Sequence, residues 1–373
     1  MGPATLTEPR LAVVAAGGTG GHLFPAQALA QVLVGRGWRV VLATDERVQT
    51  LSKDFPAERR IPLSAATFKP GDPLGMAKAG AAILRGVMQA RAELSALKPA
   101  IVVGFGGYPS LPALMAAISQ GRTTMIHEQN AVMGRANRLL APRVTAIACA
   151  FPTLQKAPAS VQARAAVVGN PVRPEIRAIY DRTYAAPTDD VRLLVTGGSQ
   201  GARLLSEGVP QAIARLPEAI RERLKVQQQT RAESIETARA TYAAAGVDAE
   251  IAPFFDRMAE RLGAAHLMIG RSGASTVCEI AVAGRPSILV PLRIALDDDQ
   301  GQNARLLAEA GAAEVLREDV LTTDSLAALL QRLIEDPCRL AEMAAAAKAV
   351  GKPDAADRLA DVVEETAASR PPR

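Results

Sequence analysis

Apolar residues fall in two registers along this chain, and the registers alternate. Apolar-rich segments at residues 11–16, 38–44, 100–110, 123–130 and 144–150 have the length of buried strands, the fourth ending in a cluster of polar groups. Between them, residues 23–34 and 76–97 repeat their apolar positions every three or four residues and predict helices. Gly37 fits a helix C-cap, and Lys98-Pro99 stops the second helix. Strands apolar on both faces and joined by helices imply a parallel sheet covered on each side.

The pattern pauses at residues 169–177, GNPVRPEIR, and then restarts with VRLLVTGG (191–198), LKVQQQT (224–230), a short strand at 249–252, HLMIGRSGAS (266–275) leading into a helix, and the buried strand RPSILVPL (285–292). Two helices lie between 324 and 350, and a last periodic segment covers 354–367. Both halves open on the same construction. RLAVVAAGGTGGH (10–22) and RLLVTGGSQGAR (192–203) each run from an apolar strand through glycines into a helix. Such a turn leaves backbone N–H groups free at a helix N-terminus, where an anion can sit. The expected fold class is therefore α/β, with two Rossmann-like doubly wound parallel-sheet domains facing across a cleft. The expected divisions are 10–170, 171–350 and a terminal helix at 351–368.

Composition narrows the chemistry. The chain has 373 residues, enough for two cores, and 49% of them are hydrophobic. Aromatics are only 3%, too few for base-stacking platforms, so nucleic acid is not an expected partner. The net charge of +5 suits an anionic lipid surface or a phosphorylated substrate. Cys149, Cys278 and Cys338 are odd in number and far apart, which predicts neither disulfides nor a zinc site. The start lacks the apolar core of a leader, and no apolar run approaches the roughly 18 residues of a membrane span. A soluble or peripheral protein is expected.

The first glycine loop has neither GxGxxG nor GxxxxGK[ST] spacing, which disfavours a nicotinamide enzyme or a P-loop nucleotidase. His22, at its mouth, is the candidate general base. His127, Glu128, Gln129 and Asn130 cluster at a strand end; some of these are expected to hold the loop and others, Asn130 above all, to touch a ligand. Ser199 and Gln200 in the second glycine loop suit phosphate oxygens, with Arg173 as a charge partner. After Ser272-Gly273 a helix opens on Ala274, Ser275 and Thr276, small residues that leave N–H groups open to a diphosphate. Glu279 is placed to accept hydrogen bonds from a ribose. In LDDDQGQNA (296–304) the aspartates read as helix caps rather than metal ligands, while Gln300 and Asn303 can reach a sugar. His266 has no polar neighbours in sequence and reads as structural. Ile83, Leu84, Val87, Met88 and Leu94, flanked by Lys78, Arg85 and Arg91, form a stripe that reads as core or as a basic lipid-facing surface.

Taken in order, GGTGGHLFPA, GFGGYPS, HEQN, GNPVR, GGSQGAR and RSGASTVCE followed by DDDQGQNA resemble the MurG family of N-acetylglucosaminyltransferases. The resemblance implies a GT-B fold with an acceptor domain first and a donor domain second. It implies an inverting transfer from UDP-N-acetylglucosamine to the 4-hydroxyl of muramyl-pentapeptide in lipid I, giving lipid II for peptidoglycan, with no cofactor and no obligatory metal. By position, Thr19, Gly20, Gly21 and Asn130 would meet the sugar diphosphate from the N-terminal side, and Arg173 and Ser199 the phosphates. Phe255 would lie at the uracil, Ala274, Ser275, Thr276, Val277, Cys278 and Glu279 at diphosphate and ribose, and Gln300 at the sugar hydroxyls. Tyr108, His127 and Glu128 are candidates on the acceptor side. The chain departs from the family pattern at Asp299 and Ser275. The family is peripheral on the cytoplasmic face of the bacterial inner membrane, so an anionic membrane surface and other cell-wall synthesis or division proteins are expected partners. The rival readings are another GT-B transferase using a UDP-sugar and a non-catalytic membrane scaffold.

Overall fold

The computed structural model describes residues 9–17, 20–45, 54–65, 73–198, 201–293 and 297–369. The chain divides into two compact units, one running through Val172 and resuming at Asp354, the other covering Arg173–Pro353.

The first unit contains β1 (Leu11–Ala15), α1 (Gly20–Gly35), β2 (Arg39–Thr44), β3 (Arg59–Pro62), α2 (Pro73–Leu97), β4 (Ile101–Gly104), α3 (Ser110–Ser119), β5 (Thr124–Glu128), α4 (Arg135–Leu140), β6 (Ala146–Cys149), α5 (Ala159–Gln162) and β7 (Ala165–Val167). Its seven strands are all parallel, in the order β3-β2-β1-β4-β5-β6-β7. β1 shows why its own apolar run is uninterrupted. Leu11, Val13 and Ala15 enter one core with Leu94 and Leu114, while Ala12 and Val14 enter the opposite core with Leu23, Leu29 and Leu33. A strand buried on both faces has no polar side to show.

The second unit contains α6 (Pro174–Arg177), β8 (Val191–Thr196), α7 (Arg203–Ala214), α8 (Glu218–Arg221), β9 (Leu224–Gln229), α9 (Ile235–Ala244), β10 (Asp248–Ala252), α10 (Met258–Ala264), β11 (Leu267–Gly270), α11 (Ala274–Ala283), β12 (Ser287–Leu289), α12 (Asp299–Glu309), β13 (Ala313–Val315), α13 (Thr323–Ile334) and α14 (Pro337–Val350). Its parallel sheet runs β10-β9-β8-β11-β12-β13. The final helix, α15 (Ala355–Ala368), belongs to the first unit. There Leu359, Ala360 and Val363 pack into the core shared with α1, and Arg36 pairs with Asp361 and Glu364.

Each sheet reverses its order of connection once, between β1 and β4 and between β8 and β11. At such a switch point the loops after the two strands part to opposite faces and leave a crevice at the strand C-termini. The described parts of both glycine constructions lie there: Gly17 and Gly20 after β1, Gly197, Gly198 and Gly201 after β8.

Candidate active site

In the first unit, the crevice is bordered by the loop after β1 and by Gly104–Gly107 after β4. A Cβ on Gly17 would come within 2.9 Å of Thr44 Oγ1 and 3.0 Å of Pro109 Cβ, so the loop has room only for glycine. Gly106 and Gly107 have φ of +78° and +70°, the left-handed region that suits glycine. This turn brings the Gly107 backbone against His22, whose Cδ2 and Nε2 would lie 3.3 and 3.4 Å from a Cβ there. His22 is half-buried on the first turn of α1, and its Nδ1 is 3.0 Å from Gln129 Oε1. Gly20 is buried and Gly21 exposed beside it. Thr19 lies outside the described residues.

The HEQN cluster at the end of β5 divides its labour more sharply than the sequence indicated. His127, Glu128 and Gln129 are all buried. Both oxygens of the Glu128 carboxylate turn back on their own loop. Oε1 accepts from the Asn130 backbone N–H at 3.0 Å, and Oε2 accepts from Gly134 N–H at 2.9 Å and Asn137 Nδ2 at 2.8 Å. His127 Nε2 is 2.9 Å from the Gly169 carbonyl, and burial pushes this imidazole down from 6.5 to about 4, against the smaller opposing effect of that hydrogen bond. His127 is therefore neutral near pH 7. Asn130 is partly exposed, as is Tyr108, which packs against the core by its ring.

In the second unit, α11 begins at the end of β11, beside β8. Gly273 is its N-cap and supplies no side chain, so the first-turn N–H groups have no side-chain cap. The buried hydroxyl oxygens of Ser272 and Ser275 have no hydrogen-bond partner. Thr276, Cys278 and Glu279 are half-buried along the same helix, whereas Ala274 and Val277 turn into the core. Arg173, the residue before α6, donates from Nε and Nη2 to the two oxygens of Glu279, both at 2.9 Å. Burial opposes the Arg173 charge, and the Glu279 carboxylate more than compensates, so this guanidinium stays protonated. Sequence reasoning placed Arg173 on phosphate and Glu279 on ribose; the structure adds that each is the other's partner. Ser199 and Gln200 lie outside the described residues.

Four placements differ from expectation in detail. Asn303 is fully buried and donates to the Ser272 carbonyl at 3.2 Å, so it braces the turn before α11 instead of reaching outward. Gln300 Oε1 accepts from Leu292 N–H at 3.1 Å and closes the loop before α12. Phe255 is 4% exposed beneath the Arg261 guanidinium, 4.2 Å from its ring centre, while Phe254 beside it is 70% exposed. His266 does have a polar partner, since its Nδ1 accepts from Arg192 N–H at 3.1 Å; the ring braces β8. Among the described residues, no three His, Cys, Asp or Glu side chains converge where a metal could bind.

The two units correspond to two family models. Residues 12–149 match the glycosyltransferase family 28 N-terminal domain and residues 192–359 its C-terminal domain. A curated relative from Phenylobacterium zucineum is 67% identical over 97% of this chain and all of its own length. Another, from Caulobacter vibrioides strain NA1000, is 64% identical over 96% of this chain and 99% of its own. Both are named UDP-N-acetylglucosamine–N-acetylmuramyl-(pentapeptide) pyrophosphoryl-undecaprenol N-acetylglucosamine transferase. The crystal structure of Acinetobacter baumannii MurG, 31% identical, superposes with a TM-score of 0.76 over 96% of this chain and all of that one. A kitacinnamycin glycosyltransferase, 19% identical with a TM-score of 0.69 over 96% of this chain and all of its own, shares the fold. Two doubly wound units, each opening on a glycine turn at its switch point, thus coincide with this relationship: the chain belongs to the MurG family of glycosyltransferase family 28.

Proposed function

We propose that this protein is an inverting N-acetylglucosaminyltransferase. It moves N-acetylglucosamine from UDP-N-acetylglucosamine to the 4-hydroxyl of muramyl-pentapeptide on undecaprenyl diphosphate, converting lipid I to lipid II. The observation that carries the reading is the N-terminus of α11, whose first-turn N–H groups have no side-chain cap. A diphosphate supplies the missing acceptors, and the helix dipole adds about 0.3–1 kcal/mol for an anion there.

In this scheme the second unit holds the donor. Amides of residues 274–276, Ser199 and Arg173 stabilise the charge that grows on UDP as the anomeric C–O bond breaks. Glu279 receives the ribose, and the main chain at Phe255 the uracil. The first unit presents the acceptor beside Thr19, Gly20, Gly21, Asn130 and Tyr108. His22 Nε2 takes the proton of the attacking hydroxyl as its oxygen bonds to the anomeric carbon. Incubation of the purified protein with labelled UDP-N-acetylglucosamine and a lipid I analogue should give the disaccharide product and UDP. UDP release without a disaccharide, or no turnover, refutes the assignment. His22→Ala should lower kcat by about 10²- to 10⁴-fold with donor affinity little changed; near-normal turnover removes it from the base role.

We further propose that the protein works as a peripheral protein at the cytoplasmic face of the inner membrane. No described helix is long and apolar enough to span a bilayer. The stripe on α2 splits: Leu94 is buried, but Leu84 and Met88 are 63% and 61% exposed, beside exposed Lys78 and Arg85. Apolar side chains ringed by cations suit an anionic lipid surface.

A further inference from the structure

His22 has its imidazole fixed by a chain of hydrogen bonds whose proton order can be worked out atom by atom. The Gly169 carbonyl can only accept, so His127 Nε2, 2.9 Å away, carries a hydrogen. A neutral imidazole has one N–H, which leaves His127 Nδ1 as an acceptor. It takes a hydrogen from Gln129 Nε2 at 3.1 Å. The second hydrogen of that amide goes to the main-chain carbonyl of His127 at 2.9 Å. Both amide hydrogens are therefore committed, and the flipped amide would set oxygen against oxygen there. Gln129 Oε1 is left to face His22 Nδ1 at 3.0 Å, so Nδ1 must donate. The lone pair of His22 then resides on Nε2, on the side where the imidazole meets Gly107.

We propose that Gln129 is a positioning residue that, held by His127 and the Gly169 carbonyl, locks His22 in its Nδ1–H tautomer and leaves Nε2 free to accept a proton. Gln129 touches no substrate in this role; it is 2% exposed and acts through the imidazole it orients. The inference rests on His22 being the base, and its test separates the two.

The chain has three histidines, so ¹⁵N-histidine labelling of the full-length protein gives three imidazoles, and subtraction of the His22→Gln spectrum assigns the one of interest. Near pH 8.5, where imidazoles are ordinarily neutral, wild-type His22 should appear as the Nδ1–H tautomer. The Nε2–H tautomer in the wild type overturns the proposal without any variant. In Gln129→Met, which keeps the volume and removes both polar functions, His22 should shift toward the Nε2–H form. Its kcat should fall about 10- to 100-fold, with KM for UDP-N-acetylglucosamine unchanged. An unmoved tautomer in Gln129→Met overturns the lock. A moved tautomer with undiminished kcat overturns its catalytic purpose, and normal turnover in His22→Gln then assigns that failure to the base reading.

Discussion

His127 has a measurable cost at acid pH. Its imidazole is held neutral by burial, down from 6.5 to about 4, whereas in the unfolded chain it titrates near the ordinary value. Between these values the unfolded state binds the extra proton, so stability falls as pH drops from 6.5 toward 4 and is complete above 6.5. The loss amounts to about 3 kcal/mol at the acid end. Urea melts at pH 7 and pH 5 should show this decline, and His127→Gln should show less of it; an equal decline in both assigns the acid sensitivity elsewhere. Glu279 gives the matching prediction for the donor side. In the proposed scheme Glu279→Ala removes the ribose acceptor, and it also breaks the ion pair with Arg173, so calorimetry should show weaker UDP binding. An unchanged dissociation constant contradicts the assignment.

Among elements, the turn after β4 does the most with the fewest atoms. Gly106 and Gly107 both have positive φ, and Gly107 abuts the His22 ring. Gly107→Ala adds a methyl at 3.3 Å from that ring and an unfavourable backbone angle, costing about 1 kcal/mol or more. Turnover should fall by more than the drop in melting temperature accounts for, because the methyl displaces the imidazole as well as straining the turn. A kcat equal to wild type would show that His22 tolerates the shift. The sequence announced most elements of this kind. Doubly buried strands such as β1 and β8 write themselves as apolar runs, and glycine turns are conspicuous where no Cβ fits. The strands β3 (RRIP), β7 (AAV) and β13 (AEV) were illegible for a physical reason. All three are short, and each lies at a sheet edge with polar or small residues, so period and burial leave little trace. The hydrogen-bond chain was hidden differently. Its hydrogen-bonded partners lie up to 107 residues apart, and only the strand order β1-β4-β5-β6-β7 brings them together.

For the whole molecule, a net charge of +5 attracts anionic lipid only weakly, so the proposed adhesion depends on where apolar side chains accompany the cations. Leu84→Ser/Met88→Ser should reduce sedimentation with vesicles containing phosphatidylglycerol and leave transfer to a short-chain soluble acceptor intact. Undiminished sedimentation excludes this stripe as the lipid contact. What the sequence could not supply was the split of that stripe. Val87 and Leu94 pack against the core and Leu84 and Met88 do not, although their helical period is shared.

The placement of α15 has a consequence for how the protein is made. Leu359, Ala360 and Val363 are the last apolar pieces of a core begun by Ala12 and Leu23. On the ribosome the opening unit therefore waits, one flank bare, through the synthesis of an entire intervening unit that needs nothing beyond its own contiguous residues. The later-born unit can finish folding first. A nascent chain stalled before residue 355 is the stage at which proteases and chaperones find the most to bind.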